Sequence, residues 1–163
     1  MRGIVYRKHG GYEHLEEVDL PEPKVGSNEV LVEVHSMGLN PLDYRIRRGE
    51  MGPLTLFGPR LIGSDFAGRV LQLGSRIHDL AVGDRVYGMV FQPVTGTSAE
   101  RIVVKRSVVT QSPRSLDDTT VATVPLAAQT AYQALYQLAQ LQPDQRVLIN
   151  GASGGVGTFA VQF

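Results

Sequence analysis

The chain has 163 residues, with 16 basic and 16 acidic side chains and no cysteine. This balance gives no electrostatic reason to expect binding to nucleic acid or to an anionic membrane, and the lack of cysteine excludes disulfides and zinc sites built on thiolates. No apolar stretch approaches the roughly 20 residues that span a bilayer, and the start of the chain lacks the apolar region of a signal peptide. We therefore expect a soluble, cytoplasmic protein with one full domain and part of another.

Short strands joined by turns are predicted for the first part of the chain. Its glycines and prolines mark frequent turns, and the predicted strands cover residues 2–7, 15–19, 29–35, 67–73, 85–91, 98–104 and 108–111. One helix is predicted over residues 41–48, because Pro41 suits a first helical turn and Gly49 suits a helix end. Strands at this spacing favour a small barrel-like domain.

The pattern becomes helical near Ser115. Asp117 and Asp118 offer a helix start with acidic residues near the positive end of the helix dipole. Residues 126–141 are rich in Ala, Leu and Gln, which are good helix formers, and a proline follows them. We therefore place the domain boundary near residues 114–119.

A glycine-rich turn follows the apolar run Arg146 to Ile149. The turn reads Gly-Ala-Ser-Gly-Gly-Val-Gly over residues 151–157, and an apolar helix pattern begins at Thr158. These glycines are compatible with an ordinary tight turn, but strand, glycine turn and helix in this order are typical of the opening of a dinucleotide-binding βαβ unit. In such a unit, the turn and the helix N-terminus bind a pyrophosphate. The residue that separates NAD from NADP lies about 20 positions later, beyond Phe163.

The run of residues 146–149 has no predicted neighbouring strand. A doubly wound sheet buries its strands on both faces, so the exposed edge is a template for pairing with another chain. We expect this chain either to self-associate through that edge or to have a mobile last turn. We also expect it to bind NADPH weakly, with negligible turnover.

Several segments occur in an order that resembles a known superfamily. They are Val-Leu-Val-Glu-Val (30–34), Gly-Leu-Asn-Pro-Leu-Asp-Tyr-Arg (38–45), Gly-Ser-Asp-Phe-Ala-Gly (63–68), Gly-Asp-Arg-Val-Tyr-Gly (83–88), Ala-Ala-Gln-Thr-Ala-Tyr (127–132) and the glycine turn. Together they resemble the zinc-independent branch of the medium-chain dehydrogenase/reductase superfamily. The chain looks most like the N-terminal half of its quinone oxidoreductases and enone (2-alkenal) reductases.

This resemblance implies a mixed fold with two parts. Residues 1–116 would form a GroES-like β-barrel domain that lacks its C-terminal return. Residues 117–163 would begin a Rossmann (doubly wound α/β) domain with its opening βα unit. Members of this branch bury NADPH in the cleft between the two domains, and NADH stays open because the deciding residues lie beyond Phe163.

The resemblance also implies an activity. It predicts metal-free hydride transfer from NADPH to a quinone or an α,β-unsaturated carbonyl, in a homodimer. Two alternatives stay open: a truncated, non-catalytic fragment of such an enzyme, and an enoyl reductase domain of a polyketide synthase.

Catalytic roles by resemblance fall on Asn40, Tyr44 and Arg45. Asn40 would face the nicotinamide and the substrate oxygen, although an Asn at this position also suits a helix cap. Tyr44 would donate a proton and Arg45 would polarise an enone oxygen, although both are also ordinary exposed helix residues. Asp43 would start the helix or brace the cleft through a basic partner such as Arg47.

The cofactor-binding residues by resemblance include Asn40 and Thr130. By resemblance, Thr130 would bind the nicotinamide carboxamide. The alternative interpretation is a small residue on a packed helix. The pyrophosphate would bind the glycine turn through Gly151, Ser153, Gly154, Gly155, Val156 and Gly157.

No metal site is predicted. Zinc-dependent relatives have a Cys ligand within residues 39–43 and a His–Glu pair where this chain has Ser64 and Asp65. The four histidines, at positions 9, 14, 35 and 78, show no ligand spacing and are predicted to lie in turns or on the surface. Carbonyl activation would therefore depend on hydrogen-bond donors and the cofactor.

We predict that the protein binds no stoichiometric zinc, because it lacks thiolate ligands and clustered histidines. Metal analysis of the dialysed protein measures this directly. A content of about one zinc per chain would contradict the prediction.

Overall fold

The computed structural model describes residues 1–51, 59–91 and 96–163. The strands are β1 (Arg2–Tyr6), β2 (Leu15–Asp19), β3 (Glu29–Gly38), β4 (Arg60–Leu61), β5 (Asp65–Leu73), β6 (Arg85–Met89), β7 (Arg101–Lys105) and β8 (Val109–Gln111). The helices are α1 (Pro41–Arg48), α2 (Asp118–Val121), α3 (Pro125–Tyr132) and α4 (Gly155–Gln162). A π-helical segment, Gln133–Leu138, continues α3.

Two antiparallel sheets form the first part of the chain. One has the strand order β2-β1-β4, and the other has the order β7-β3-β5-β6-β8. The segment just before β7 joins them, since the Ile4 N–H donates to the Ser98 carbonyl and the Val34 N–H donates to the Glu100 carbonyl. The long central strand β3 bends where its register with β5 shifts, and this curvature wraps the larger sheet around its core.

The core lies inside the five-stranded sheet. Val30 and Val32 of β3 and Phe66 of β5 are completely buried. They pack with apolar residues of β6, β7 and β8 in one cluster. The alternation of buried and partly exposed residues along β3 is the pattern expected for a strand with one face on the core.

Most predicted elements of this part are confirmed. The helix over residues 41–48 has the predicted bounds, and strands form in each predicted range. The strand predicted from residue 98 begins only at Arg101, because residues 98–100 bridge the two sheets instead of continuing the ladder. The two-residue strand β4 was not predicted.

The helical part begins as predicted and then differs in detail. The Asp117 side chain accepts a hydrogen bond from the Thr120 N–H at 2.7 Å and so caps α2. The helix predicted over residues 126–141 starts at Pro125 and ends at Leu138, with its second half π-helical. Helix α4 starts at Gly155, three residues before the predicted start at Thr158.

The predicted strand at residues 146–149 is wrong for this chain. These residues form no strand, and Leu148 is 94% exposed. A strand exists only through hydrogen bonds to a neighbouring strand, and no described segment pairs with this one. Its apolar composition indicates strand propensity, but propensity alone does not form a ladder.

An ionic cluster joins the large sheet to α2. The Asp118 carboxylate accepts hydrogen bonds from Arg85 at 2.6 Å and pairs with the His35 ring at 2.7 Å. Burial alone would raise the pKa of Asp118, but the hydrogen bonds from Arg85 and His35 hold it below its usual value. His35 is therefore a contact between the two parts of the chain, in addition to lying at the surface as predicted.

Helix α4 packs against α3 through aromatic side chains. The rings of Tyr132 and Tyr136 have centroids 5.1 Å apart, and both contact the ring of Phe163. The Tyr136 hydroxyl donates to the Phe163 carbonyl at 2.7 Å. Across the described ranges, no helix is long and apolar enough to cross a membrane.

We predict that the backbone amides of residues 147–149 exchange with solvent at nearly unprotected rates. The amides of residues 30–34, in the central strand β3, should be protected in the same sample because both neighbouring strands accept or donate hydrogen bonds there. Hydrogen exchange read by NMR gives both values at once. Equal protection of the two segments would show that residues 146–149 have a strand partner.

Candidate active site

The candidate site lies where α1, β5 and α3 meet. Asn40 directly precedes α1, and Leu126 lies in the first turn of α3. Asp65 begins β5, and Ser64 directly precedes it. Asp65 is completely buried and Ser64 is 1% exposed, whereas Asn40 is half-buried. Polar residues so deeply buried require hydrogen-bond partners, and these partners organise the site.

The Asp65 carboxylate joins two of these elements. Its Oδ2 accepts a hydrogen bond from Asn40 Nδ2 at 2.9 Å. Its Oδ1 accepts a hydrogen bond from the Leu126 backbone N–H at 3.0 Å. The second contact uses an N–H of the first turn of α3, a group that has no acceptor within its own helix.

A second buried carboxylate, Asp43, holds the start of α1. Its Oδ2 accepts from the Asn40 backbone N–H at 2.7 Å, and its Oδ1 accepts from the Ser64 hydroxyl at 3.0 Å. Asp43 therefore acts at the helix start, one of its two predicted roles. Arg47, suggested as its basic partner, donates to the Gly10 carbonyl at 2.5 Å.

Both carboxyl groups have raised pKa values. Burial raises the pKa of Asp65 to about 6, in spite of the hydrogen bonds from Asn40 and Leu126, and the nearby Asp43 adds to the shift. Burial also raises the pKa of Asp43, although the Asn40 N–H and the Ser64 hydroxyl oppose this. Perturbed carboxyl groups of this kind are typical of functional sites, although structural networks produce them too.

The close approach of α2 to this site requires glycine at position 38. A Cβ atom there would collide with the Ala122 carbonyl oxygen and contact the Asp65 side chain. Gly38 pairs with Asp65 across the β3–β5 ladder. The lack of a side chain therefore lets α2 cover Asp65 and exclude water from it.

A cleft of about 280 Å³ lies beside the network, between α1, the end of β6 and α3. Thr130 faces it, and the Thr130 hydroxyl donates to the Leu126 carbonyl at 2.7 Å. The remaining lining residues are mostly apolar: Leu42, Ser64, Met89, Val90, Phe91, Leu126, Gln129 and Gln133. This combination of an apolar wall and a few polar groups is typical of a small-molecule site.

Tyr44 and Arg45 lie on α1 outside the lining of this cleft. Arg48 stacks over the Tyr44 ring at 5.3 Å, and the Arg45 guanidinium donates to Glu50 at 3.3 Å. Both are exposed. Their predicted catalytic roles stay predictions.

The glycine turn lies at the exposed start of α4. The Gly154 N–H donates to the Gly151 carbonyl at 3.0 Å, which closes the turn. A Cβ atom at position 157 would collide with that same carbonyl oxygen, so a side chain there would open the turn. The N–H groups of the first turn of α4 point away from their own helix, as an anion site needs.

The most deeply buried members of the site were missed by sequence reasoning. Ser64 and Asp65 attracted notice only as the positions where relatives have zinc ligands. The sequence feature that could have identified them is a polar pair at the start of a strand, which is buried there. A charged residue at a buried position needs a partner. The contact from the Leu126 backbone could not be predicted from the sequence, because every residue except proline has such an N–H group.

Across the described segments, no group of three His, Asp or Glu side chains could hold a metal.

We predict that Asp65→Asn changes how stability depends on pH. The folded-state pKa of Asp65 lies above the ordinary value of 3.8, at about 6. Its contribution to stability is therefore present below roughly pH 4 and is lost as the pH rises through about 6. Asp65→Asn removes the titrating group and with it this pH-dependent loss of stability. The free energy of unfolding of the variant minus that of the parent should therefore rise by about 2–3 kcal/mol as the pH increases from roughly 4 to above 6.

Denaturant unfolding at several pH values measures this difference, with Asp19→Asn as a control for an exposed carboxylate. A difference between Asp65→Asn and the parent that is independent of pH would contradict the raised pKa.

Known proteins with similar sequences and structures cover nearly the whole chain. The model of the alcohol dehydrogenase GroES-like domain family matches residues 26–114. A chloroplastic quinone-oxidoreductase homologue of Spinacia oleracea is 37% identical over 99% of this chain and 51% of its own length. The solved quinone oxidoreductase of Coxiella burnetii superposes with a TM-score of 0.91 at 34% identity, covering 99% of this chain and 52% of that one.

A third similar protein was solved with a nucleotide. The Escherichia coli quinone oxidoreductase complexed with NADPH has a TM-score of 0.83 at 28% identity, covering 99% of this chain and 48% of that one. The chain spans about half the length of the relatives that it matches. Family model, relatives and structures agree with the superfamily predicted from the segments, and the chain belongs to the alcohol dehydrogenase GroES-like family within the medium-chain dehydrogenase/reductase superfamily.

Proposed function

We propose that this chain supplies the substrate-side half of an NAD(P)H-dependent oxidoreductase that reduces a quinone or an α,β-unsaturated carbonyl without a metal ion. One observation carries the proposal. Asn40 and Thr130 belong to distant segments of the sequence, and hydrogen bonds through Asp65 and Leu126 connect them. Thr130 lines the cleft, and Asn40 directly precedes the helix that borders it. The quinone oxidoreductases among the similar proteins support the same chemistry.

The glycine turn fits the pyrophosphate of a dinucleotide. Glycine at position 157 lets α4 lie directly against the turn, because a Cβ there would collide with the Gly151 carbonyl oxygen. The helix that follows is eight residues long and begins with the N–H groups of Gly155, Val156 and Gly157. A phosphate gains hydrogen bonds and the favourable end of the helix dipole at such a place.

The nicotinamide end of the cofactor fits the cleft. Bound NADPH would supply a hydride, and the residues of this chain would hold and shield the ring. Thr130 and the Asn40 amide provide polar groups for the carboxamide and the ribose. Leu42, Met89 and Phe91 provide apolar walls that exclude water.

Orientation and stabilisation of developing oxygen charge are the remaining tasks of the protein. Tyr44 and Arg45 are proposed donors for the substrate oxygen. Arg45 would have to leave Glu50, and this exposed ion pair is of the weak kind.

We predict that Asn40→Ala and Thr130→Ala weaken NADPH binding but leave ADP binding unchanged. ADP lacks the nicotinamide and would contact only the glycine turn, so it reports the pyrophosphate site alone. Gly157→Ala should weaken the binding of both NADPH and ADP because it disturbs that turn. Loss of one neutral hydrogen bond corresponds to an affinity change of about three- to tenfold.

Fluorescence titration of NADPH and its competition by ADP measure these affinities. Asn28→Ala and Thr119→Ala are matched controls at exposed positions outside the site. Unchanged NADPH affinity in both site variants, or equal weakening of NADPH and ADP, would contradict the assignment.

Catalysis itself is tested in a protein that carries these residues together with a complete nucleotide-binding domain. After dialysis against a chelator, we expect oxidation of NADPH in the presence of benzoquinone or 2-hexenal. Lack of NADPH oxidation with both acceptors would contradict the proposed reaction.

A further inference from the structure

We infer that Asp65 is the positioning residue of this site: its two carboxylate oxygens hold the Asn40 amide and the Thr130 helix in one fixed arrangement. The expected consequence, alignment of the nicotinamide, rests on the proposed function. The contacts that support the inference lie within this chain and do not depend on a ligand.

The first oxygen selects the orientation of the Asn40 amide. An ionised carboxylate only accepts hydrogen bonds, so the amide must turn its NH₂ group toward Asp65 Oδ2. The Asn40 Oδ1 then points away from Asp65. This oxygen forms a capping box with the Asp43 backbone N–H at the start of α1. An amide oxygen has two lone pairs, so it can also accept from a ligand donor, such as a carboxamide NH₂ or a ribose hydroxyl.

The second oxygen holds the start of α3. Asp65 Oδ1 accepts from the Leu126 N–H, and the carbonyl of the same residue accepts from the Thr130 hydroxyl. The hydroxyl of Thr130 is therefore oriented within the helical turn that Asp65 anchors. A displacement of α3 would move Thr130 together with Leu126.

A carboxylate suits this position because two donors point at it. An isosteric Asn would offer one acceptor oxygen and one NH₂ group, so one of the two donors would face another donor. The Asn40 amide can relieve this by flipping, which would turn its NH₂ group toward the ligand side. Asp65→Asn therefore preserves shape and changes the polarity that Asn40 presents.

Few charged groups surround the Asp65 carboxylate in the described part of the chain. Within residues 1–51, 59–91 and 96–163, the charged group that acts on Asp65 is Asp43 of α1. The strand partners of Asp65, Gly38 of β3 and Met89 of β6, have no ionisable side chain. Burial together with Asp43 raises the pKa of Asp65. Protonation of Asp65 should accordingly release the same two donors that Asp65→Asn disturbs.

The test follows the two donors by NMR in the full chain. The Asn40 side-chain amide, the Leu126 backbone amide and the Asp65 carboxyl carbon should titrate with one common midpoint. Asp65→Asn should remove this titration from both amides, and Asp19→Asn should retain it. Amide resonances that titrate independently of the Asp65 carboxyl carbon would overturn the inference. That comparison needs only the parent chain, so it decides the matter even if the variant does not fold.

Ligand binding then separates positioning from a general structural role. Asp65→Asn should weaken NADPH binding about tenfold and leave the affinity for ADP unchanged. The affinity of the parent for NADPH should fall as the pH drops through the titration of Asp65. The affinity of the variant should not depend on pH in this way. Equal weakening of NADPH and ADP would show a merely structural role and overturn the inference. If the amides titrate as expected but Asn40→Ala binds NADPH as the parent does, the proposed function fails and the positioning of the two donors stands.

Discussion

The buried carboxylate of Asp65 is the constraint on which this site depends. An ionised carboxylate without partners in a protein interior would be strongly destabilising, so the chain must bring donors to it. The donors come from Asn40 and from the Leu126 backbone, which are far apart in the sequence. Satisfying one charge therefore places α1 and α3 at fixed positions on β5.

A second carboxylate strengthens this arrangement and also strains it. Asp43 holds the Asn40 backbone and the Ser64 hydroxyl, so Asn40 is fixed at its backbone and at its side chain by different acids. Burial disfavours the charged form of both groups and raises both pKa values. The negative charge of Asp43 raises the pKa of Asp65 further. Stability is partly sacrificed here for a defined geometry, as is common at functional sites.

The rest of the fold serves this junction. Gly38 lets α2 approach Asp65, and the contacts of Asp118 with Arg85 and His35 hold α2 on the large sheet. Helix α3 then carries Thr130 at the cleft and packs through its aromatic residues on α4, which begins at the glycine turn. The two proposed ends of the cofactor site are thus connected through α3.

The sequence by itself determined the local elements and the family. Helix α1 could be bounded from Pro41 and Gly49 because both residues restrict the backbone locally, and the strands followed from alternation and turn residues. Tertiary structure decided the rest. Residues 146–149 form no strand because a ladder needs a partner, whatever the propensity of its residues. The role of Asp65 stayed hidden because it depends on a backbone N–H sixty-one residues away, and backbone groups carry no residue-specific signal until the fold brings them to a side chain.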